Sequence, residues 1–528
     1  MIRLLSPGRL LARKRLSSTS ASKPARARFA PSPTGMLHLG GLRTALFNYL
    51  LAKQTNGQFI LRIEDTDQAR TIPGATEALL QILKWCGIPY DEGPDRPGSF
   101  GPYIQSQRSE IYQDHARILL EKGHAYRCFC SPEKLARSRE QAIAAKKPPQ
   151  YDGTCRYLTP AEIQQKLDAG MPHTVRLKVP HAEKFISFND QAHGRIQIAS
   201  RQVDDSILLK SDGLPTYHLA NVVDDKLMKV THVLRGEEWI PSTPKHILLY
   251  KAFGWEPPAF AHLPLLINKD GSKLSKRQND VHVEQLRDKG YLPEALLNFV
   301  AFLGWGPGTK KEFYTLEELC RDFDLANINK SPAVVTYDKL DHLNKQHILA
   351  RLADADKRRG LVEEIRVLVT KEYSAEMQDP LKTRLVRQPS EESDYLTQVV
   401  VAVKERVRHL PDFVQLCKPF FLEPALVSDD STKTAWRKKM DNKIFGSATK
   451  SVRQQLATVD ETDWSLDTIK SSVLGVEQEL GLTHIQLMQP LRYALTGSKV
   501  GIDMLTTIHL LGKPVVLRRL DECVAREV

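Results

Sequence analysis

The chain lacks several features that would place it in special classes. No apolar run is long enough to span a bilayer, so no membrane partner is expected. Cysteine is scarce, with 7 in 528 residues. In a long chain without a secretory leader, such cysteines indicate reduced thiols or metal ligands rather than a disulfide framework. No internal repeat or low-complexity tract is visible, which argues against a solenoid.

Acidic residues are absent from the N-terminus until Glu64. Residues 1–24 are basic and rich in serine, with scattered leucines and no continuous apolar core. This pattern is typical of a mitochondrial targeting presequence and predicts a location in the matrix. A disordered basic tail that contacts RNA is the alternative interpretation.

The overall composition is that of a globular protein, with 41% hydrophobic and 26% charged residues. A length of 528 residues predicts three or more domains. The formal net charge is +12 and the pI is about 9.2, which fits a polyanionic partner such as RNA. Part of this positive charge lies in the leader.

The stretch Arg26–Leu51 carries the strongest local pattern. A short extended run ends at Ala30, a Pro-Ser-Pro-Thr-Gly turn follows, and His38-Leu-Gly-Gly precedes a segment with apolar residues at helical spacing. The sequence therefore predicts strand, tight turn and helix. A helix N-terminus with glycines presents N–H groups and the positive end of the dipole, which suits a phosphate.

This stretch resembles the HIGH signature of class I aminoacyl-tRNA synthetases, in the form PSPTGxLHxGG. The bare tetrapeptide would also fit a small nucleotidyltransferase or a helix cap with a buried histidine. The longer stretch is similar to the bacterial and organellar type of glutamyl-tRNA synthetase. Lys273-Leu-Ser-Lys-Arg277 resembles the KMSKS loop of the same enzymes, in which two lysines reach one triphosphate.

The resemblance implies two groups of site residues. His38, Lys273 and Lys276 would be catalytic, and the ATP site would comprise Gly35, His38, Gly40, Gly41, Glu238, Leu266, Lys273, Ser275 and Lys276. The glutamate site would comprise Arg28, Ala30, Ser32, Glu64, Tyr217, Asn221 and Arg235. Guanidinium groups suit a carboxylate. Two arginines facing one site, with no aspartate nearby to pair them, would favour glutamate over glutamine.

Three cysteines invite a metal interpretation. Some members of the family bind zinc at a place like Cys128-x-Cys130 and Cys155, with a fourth ligand two residues further on. That position is Tyr157 here, and tyrosine is a poor zinc ligand. Zinc is therefore not expected, and the only cofactor expected is ATP with Mg²⁺.

The predicted fold is an α/β Rossmann-like catalytic core with an α+β acceptor-binding insert, followed by an all-α anticodon-binding region. The predicted segments are a presequence (1–24), catalytic half 1 (25–103), the insert (104–214), catalytic half 2 (215–267), the KLSKR loop and stem-contact region (268–345) and the helical anticodon-binding region (346–528). Two strands are predicted to belong to the insert, Thr174–Val179 and Arg195–Ile198, and the main sheet is predicted to resume at Ser206–Lys210.

The implied activity is glutamate–tRNA ligation, with L-glutamate and tRNA(Glu) as substrates in mitochondrial translation. Charging of tRNA(Gln) stays open, Arg406 or Arg408 would contact tRNA, and a monomer is expected. A glutaminyl enzyme typically reads PEPNG instead of Pro31-Ser-Pro-Thr-Gly35, and a truncated tRNA-modifying relative would lack the long C-terminal region. The remaining alternative is a non-catalytic RNA-binding paralogue, against which the intact His38, Lys273 and Lys276 argue.

Overall fold

A computed structural model describes residues 23–180, 183–274, 282–376, 385, 394–424, 426 and 440–526. Its strands are β1 Arg26–Phe29, β2 Gln58–Leu61, β3 Ala125–Cys128, β4 Thr174–Leu177, β5 Phe185–Asp190, β6 Gly194–Ala199, β7 Ile207–Leu209, β8 His232–Gly236, β9 Ala259–Leu263, β10 Leu266–Ile267 and β11 Ala333–Val334. The helices of the first part are α1 Leu39–Gln54, α2 Ala75–Trp85, α3 Ser109–Glu121, α4 Pro132–Ala144, α5 Pro160–Asp168, α6 Tyr217–Leu227, α7 Thr243–Phe253, α8 Val283–Asp288, α9 Pro293–Ala301 and α10 Leu316–Asp322. Those of the second part are α11 Tyr337–Ala353, α12 Ala355–Tyr373, α13 Tyr395–Val403, α14 Leu410–Phe421, α15 Asn442–Thr458, α16 Leu466–Glu479, α17 His484–Thr496, α18 Met504–Leu511 and α19 Lys513–Arg526.

The catalytic core is built on a six-stranded sheet with the order β2-β1-β8-β9-β5-β6. All neighbouring pairs are parallel except the β5–β6 hairpin. The predicted first strand is thus confirmed and lies inside the sheet, beside both β2 and β8. Because the carboxyl ends of parallel strands share one edge, the turns after β1 and β8 meet there. The predicted fold class, a Rossmann-like α/β core before an all-helical region, is confirmed.

Two strand assignments were wrong. The segment at Ser206–Lys210, predicted to resume the main sheet, forms β7 and pairs with β4 in a separate antiparallel sheet ordered β3-β4-β7. The strand at Arg195–Ile198, predicted to belong to the insert, is part of the hairpin that extends the main sheet. Periodicity identifies a strand, but it does not identify the strand's partner. The segment boundaries themselves stay a prediction.

The C-terminal helices form a second core, which includes Leu292 and Ala295 at the start of α9 and Ile348 and Leu352 near the end of α11, and which continues to Cys523. Asn344 of α11 joins this region to the first part of the chain. Its side chain accepts a hydrogen bond from the Leu292 N–H (2.8 Å) and donates one to the Arg408 carbonyl (2.6 Å). Among the described residues, no helix combines the length and apolarity needed to cross a membrane.

Candidate active site

The turn after β1 places His38 and the first backbone N–H groups of the helix at the start of α1. His38 precedes the helix, and its Nδ1 accepts a hydrogen bond from the Gly41 N–H (3.1 Å). No acidic residue lies in the first helical turn, so the positive end of the dipole is not offset there. A Cβ at Gly40 would lie 3.1 Å from the His38 ring, and one at Gly41 would lie 2.7 Å from the Leu37 side chain. The motif therefore needs glycine for close packing.

A cavity of about 920 Å³ opens at this edge of the sheet. Every predicted ATP- or glutamate-site residue that the structure describes lines it: Arg28, Ala30, Ser32, Gly35, His38, Gly40, Gly41, Glu64, Tyr217, Asn221, Arg235, Glu238, Leu266 and Lys273. Ser275 and Lys276 lie outside the described residues. Segments that are up to about 245 positions apart in sequence thus contribute to one cavity, as the two motifs together predict.

Lys273 reaches the cavity from a tight turn after β10. The Asn268 N–H donates to the Ser272 carbonyl (2.8 Å), Gly271 adopts a left-handed φ of 82°, and the Leu274 N–H returns to the Leu266 carbonyl (3.0 Å). On the far side of residues 275–281, the Val283 N–H donates to the Leu37 carbonyl (2.9 Å). Both flanks of the lysine loop are therefore hydrogen-bonded beside the turn that carries His38.

Buried ion pairs form a floor beneath the cavity, and these residues were not recognised in the sequence apart from Arg28 and Glu64. Arg62 donates to Asp225 (2.7 Å) and to Glu64 (3.0 Å). Arg28 donates to Asp225 (3.1 Å). Asp224 lies 2.8 Å from Arg108 and 3.8 Å from Arg62. Three cations and three anions meet here, so their formal charges cancel. Asp224 and Asp225 lie on α6, close to the predicted site residues Tyr217 and Asn221.

The expectation that no aspartate would lie near the two arginines was wrong for Arg28. Its Nε is bound to Asp225, whose side chain is buried, and the charge of Arg28 is compensated. The pKa of Asp225 illustrates the balance. Burial raises it, but Arg28 and Arg62 outweigh burial and hold it below its ordinary value.

Arg235 has a different environment. Its guanidinium donates to Tyr217 Oη (3.0 Å), Thr243 Oγ1 (2.9 Å), His246 Nδ1 (3.2 Å) and His262 Nε2 (3.2 Å). Burial lowers the pKa of His246 well below 6.5, and burial also lowers that of His262. Its contacts in the described part of the chain are thus all to neutral groups, and Arg235 brings an uncompensated positive charge to the cavity.

Glu64 and Asn221 line the same cavity as Arg235. Burial raises the pKa of Glu64 even though Arg62 opposes this effect. The amide of Asn221 satisfies both of its ends when its nitrogen donates to Asp225 and its oxygen accepts from Arg62, each at 3.2 Å. A raised pKa marks a carboxylate that gains from a cation brought by a ligand.

Further lining residues were missed or set aside in the sequence. Trp239 packs on the Tyr217 ring with centroids 4.2 Å apart and lines the cavity. Arg43 on α1 is buried and donates to the carbonyls of Leu303 (2.8 Å) and Pro264 (2.7 Å). An arginine on an otherwise apolar helix face was the available signal for Arg43, and helical spacing alone conceals it.

The three cysteines converge, and the tyrosine that lies beside them is not Tyr157. The ligand atoms of Cys128, Cys130 and Cys155 lie within 4.8 Å of one another. The Tyr157 side chain is 80% exposed, whereas Tyr151 Oη lies 3.4 Å from the Cys128 sulfur and 3.5 Å from that of Cys130. Three sulfurs suit zinc and a phenol is an uncommon fourth donor. The expected absence of zinc stays a prediction.

Arg406 and Arg408 both have exposed side chains just after α13. Arg406 ends a short 3₁₀ turn, Lys404–Arg406, and lies close enough to Arg492 to add to the lowering of its pKa that burial begins. Both arginines therefore bring positive charge to this surface, beside the exposed Glu405. The geometry does not single out one of the two arginines as a reader of a base.

Comparisons with known proteins agree with this geometry. The sequence pattern of the family described as "tRNA synthetases class I (E and Q), catalytic domain" matches residues 24–342, and that of an "Anticodon binding domain" matches residues 370–524. The glutamate–tRNA ligase of Chlorobaculum parvum is 42% identical over 516 residues, 96% of this chain and 99% of the relative. That of Chlorobium luteolum is 42% identical over 517 residues, 95% of this chain and 98% of the relative.

A solved structure agrees over nearly the whole length. The crystal structure of a glutamate tRNA ligase from Elizabethkingia meningosepticum in complex with its amino acid has a TM-score of 0.83 and 34% identity, and covers 95% of this chain and 99% of that chain. The chain therefore belongs to the class I tRNA synthetases of the glutamate and glutamine type. It is an enzyme, an aminoacyl-tRNA synthetase, and the relatives that match nearly all of it are glutamate–tRNA ligases.

Proposed function

We propose that this enzyme activates L-glutamate with ATP and transfers it to tRNA(Glu) in mitochondria. The observation that carries the amino-acid assignment is the environment of Arg235, a buried cation with neutral neighbours in a cavity shared with His38 and Lys273. A carboxylate entering this cavity gains a charge-assisted hydrogen bond, while an amide of the same shape does not. This contrast favours glutamate over glutamine.

The proposed reaction has two steps. A carboxylate oxygen of the glutamate α-carboxyl attacks the α-phosphorus of ATP, and the bond to pyrophosphate breaks. A hydroxyl of the terminal adenosine of the tRNA then attacks the glutamyl carbonyl, and AMP leaves. ATP is used with Mg²⁺, which neutralises phosphate charge. The protein contributes position and electrostatics, through the α1 N-terminus, His38 and the lysine loop, with no side-chain nucleophile.

The direct test is aminoacylation of purified tRNA(Glu) with labelled glutamate, with labelled glutamine as the paired substrate. Because activation in this family usually requires tRNA, the pyrophosphate-exchange form of the assay includes it. Charging with glutamate and not with glutamine supports the proposal. The reverse preference would contradict it. The same assay with tRNA(Gln) measures the acceptor range.

Glu64 gives the proposal a pH dependence. We propose that its carboxylate pairs with the α-ammonium of glutamate, which requires the ionised form. Because burial raises the pKa of Glu64, its protonation begins at a higher pH than for an ordinary glutamate side chain. The KM for glutamate should therefore rise as the pH falls toward this raised value. Glu64→Gln should raise KM at neutral pH and flatten its dependence on pH, whereas the KM for ATP should not follow this profile.

The mitochondrial part of the proposal depends on residues 1–24, most of which lie outside the described residues. A fluorescent protein fused behind residues 1–24 should accumulate in mitochondria, because the segment is basic, rich in serine and free of acids. A matched fusion in which Arg3, Arg9, Arg13, Lys14 and Arg15 are changed to glutamine should remain diffuse. Diffuse fluorescence from the unaltered fusion would contradict the proposed location.

A further inference from the structure

A buried carboxylate is linked to the cavity residue Arg235 through one intervening histidine. Asp190 ends β5, and its Oδ2 lies 2.6 Å from Nδ1 of His262 on β9. His262 is the register partner of Arg235 on β8, and its Nε2 lies 3.2 Å from the Arg235 Nε. Asp190, His262 and Arg235 thus form a hydrogen-bonded row across three neighbouring strands, and all three are at most 5% exposed.

The row fixes the tautomer of His262. Asp190 is ionised, since burial raises its pKa but hydrogen bonds from His262 and from the His193 N–H outweigh burial and lower it. A carboxylate accepts only, so the proton of neutral His262 must be on Nδ1. Nε2 then offers a lone pair, which is what the Nε–H of Arg235 requires.

The second imidazole at Arg235 follows the same logic. His246 Nδ1 accepts from Arg235, so its proton is on Nε2, which points at His218 Nδ1 (3.2 Å). Burial lowers the pKa of His218 to about 4, and both rings stay neutral near pH 7. His246 and His262 therefore both accept from Arg235 without cancelling its charge. Of these two rings, His262 is the one that a carboxylate orients.

We propose that Asp190 and His262 are positioning residues for substrate selection, which hold the Arg235 guanidinium where it meets the side-chain carboxylate of the amino acid. Asp190 acts only through His262, by assigning the proton to Nδ1. This inference rests on the proposed glutamate specificity. It extends that specificity from the cavity wall to a buried pair that no substrate touches.

Asp190→Asn is the decisive variant. The Asn oxygen can still accept from the Ala192 and His193 N–H groups, which Asp190 Oδ1 binds at 3.0 and 2.9 Å. Its NH₂ group, however, donates to His262 Nδ1 and forces the ring proton onto Nε2, so that two donors face each other at Arg235. The fold is kept while the tautomer is reversed.

The expected result is a rise in the KM for glutamate of about 10- to 100-fold, the usual cost of a lost hydrogen bond to a charged group. The KM for ATP stays unchanged, and the preference for glutamate over glutamine falls. KM does not depend on the concentration of folded enzyme, so partial unfolding alone would not mimic this split. In a His262→Ala background, Asp190→Asn should add little, because its route to Arg235 is gone.

His193→Ala is the matched control. His193 Nε2 lies 3.2 Å from the His262 carbonyl, so it contacts the same residue without touching the ring. It should leave the KM for glutamate unchanged. A wild-type KM in Asp190→Asn, an equal rise in the KM for ATP, or full additivity with His262→Ala would overturn the positioning role while leaving glutamate charging intact. A wild-type enzyme that does not charge glutamate would instead refute the proposed function.

Discussion

Arg235→Gln is expected to abolish most glutamate charging while the fold and the affinity for ATP persist. The substitution removes a buried cavity cation whose described hydrogen-bond partners are all neutral, so the substrate carboxylate would be buried without this charge partner. Truncating one side of a buried charge pair costs about 2–5 kcal/mol, which corresponds to a loss in kcat/KM of roughly 30- to 5,000-fold. The measurement is tRNA-dependent pyrophosphate exchange over a range of glutamate concentrations.

Arg28→Gln provides the comparison, because the two arginines differ in their partners. Arg28 is tied to Asp225, and its loss leaves a buried carboxylate with one cation fewer. We expect Arg28→Gln to lower the thermal unfolding midpoint more than Arg235→Gln does. Equal kcat/KM values for wild type and Arg235→Gln would remove Arg235 from the proposed glutamate site.

Lys273→Ala is expected to slow glutamate activation by about 10²- to 10³-fold, the usual effect of removing one preorganised charge at a transition state. Lys273 lines the cavity together with His38, so its ammonium can approach the phosphates of ATP. Single-turnover formation of pyrophosphate measures this step directly. The KM for glutamate should change little, because the lysine contacts the other substrate.

Lys269→Ala is a close control, because it removes the same type of side chain from the same turn. Lys269 is largely exposed and pairs with Asp338 (3.2 Å) outside the cavity. Its loss should leave the activation rate near that of the wild type, since exposed ion pairs contribute little. If both variants slowed activation equally, the effect would belong to the charge of the turn and not to Lys273. Lys276→Ala applies the same measurement to the second lysine that the sequence predicts to be catalytic, which lies outside the described residues.

Local pattern and motif were sufficient for the strand, turn and helix that carry His38 and for the second motif at Lys273, and they identified many, though not all, of the residues that line the cavity. The order of strands was not predictable in the same way. The segments that became β6 and β7 were recognised as strands, but each joined the other sheet, because alternation fixes the buried face and not the neighbour.

The partners of the charged residues beneath the cavity could not be predicted from the sequence either. Arg28 and Arg235 look alike in a motif, yet one meets Asp225 and the other meets imidazoles and hydroxyls. That difference depends on where α6 and β9 lie against the sheet, which only the folded chain shows. Tyr151 and Tyr157 make the same point, because the family's ligand spacing falls on Tyr157, which is exposed, whereas Tyr151 lies beside the cysteines.

The bridge made by Asn344 has a consequence for how a long nucleic acid would be gripped. Its two hydrogen bonds act together with those from the Leu410 N–H to the Gly290 carbonyl (3.2 Å) and from Lys345 to the Glu405 carbonyl (2.6 Å), and these contacts hold the segment with the exposed Arg406 and Arg408 against the first part of the chain. An RNA that contacts both the cavity and these two arginines must therefore span a distance that the folded chain fixes, so the length and shape of the RNA matter as well as its bases.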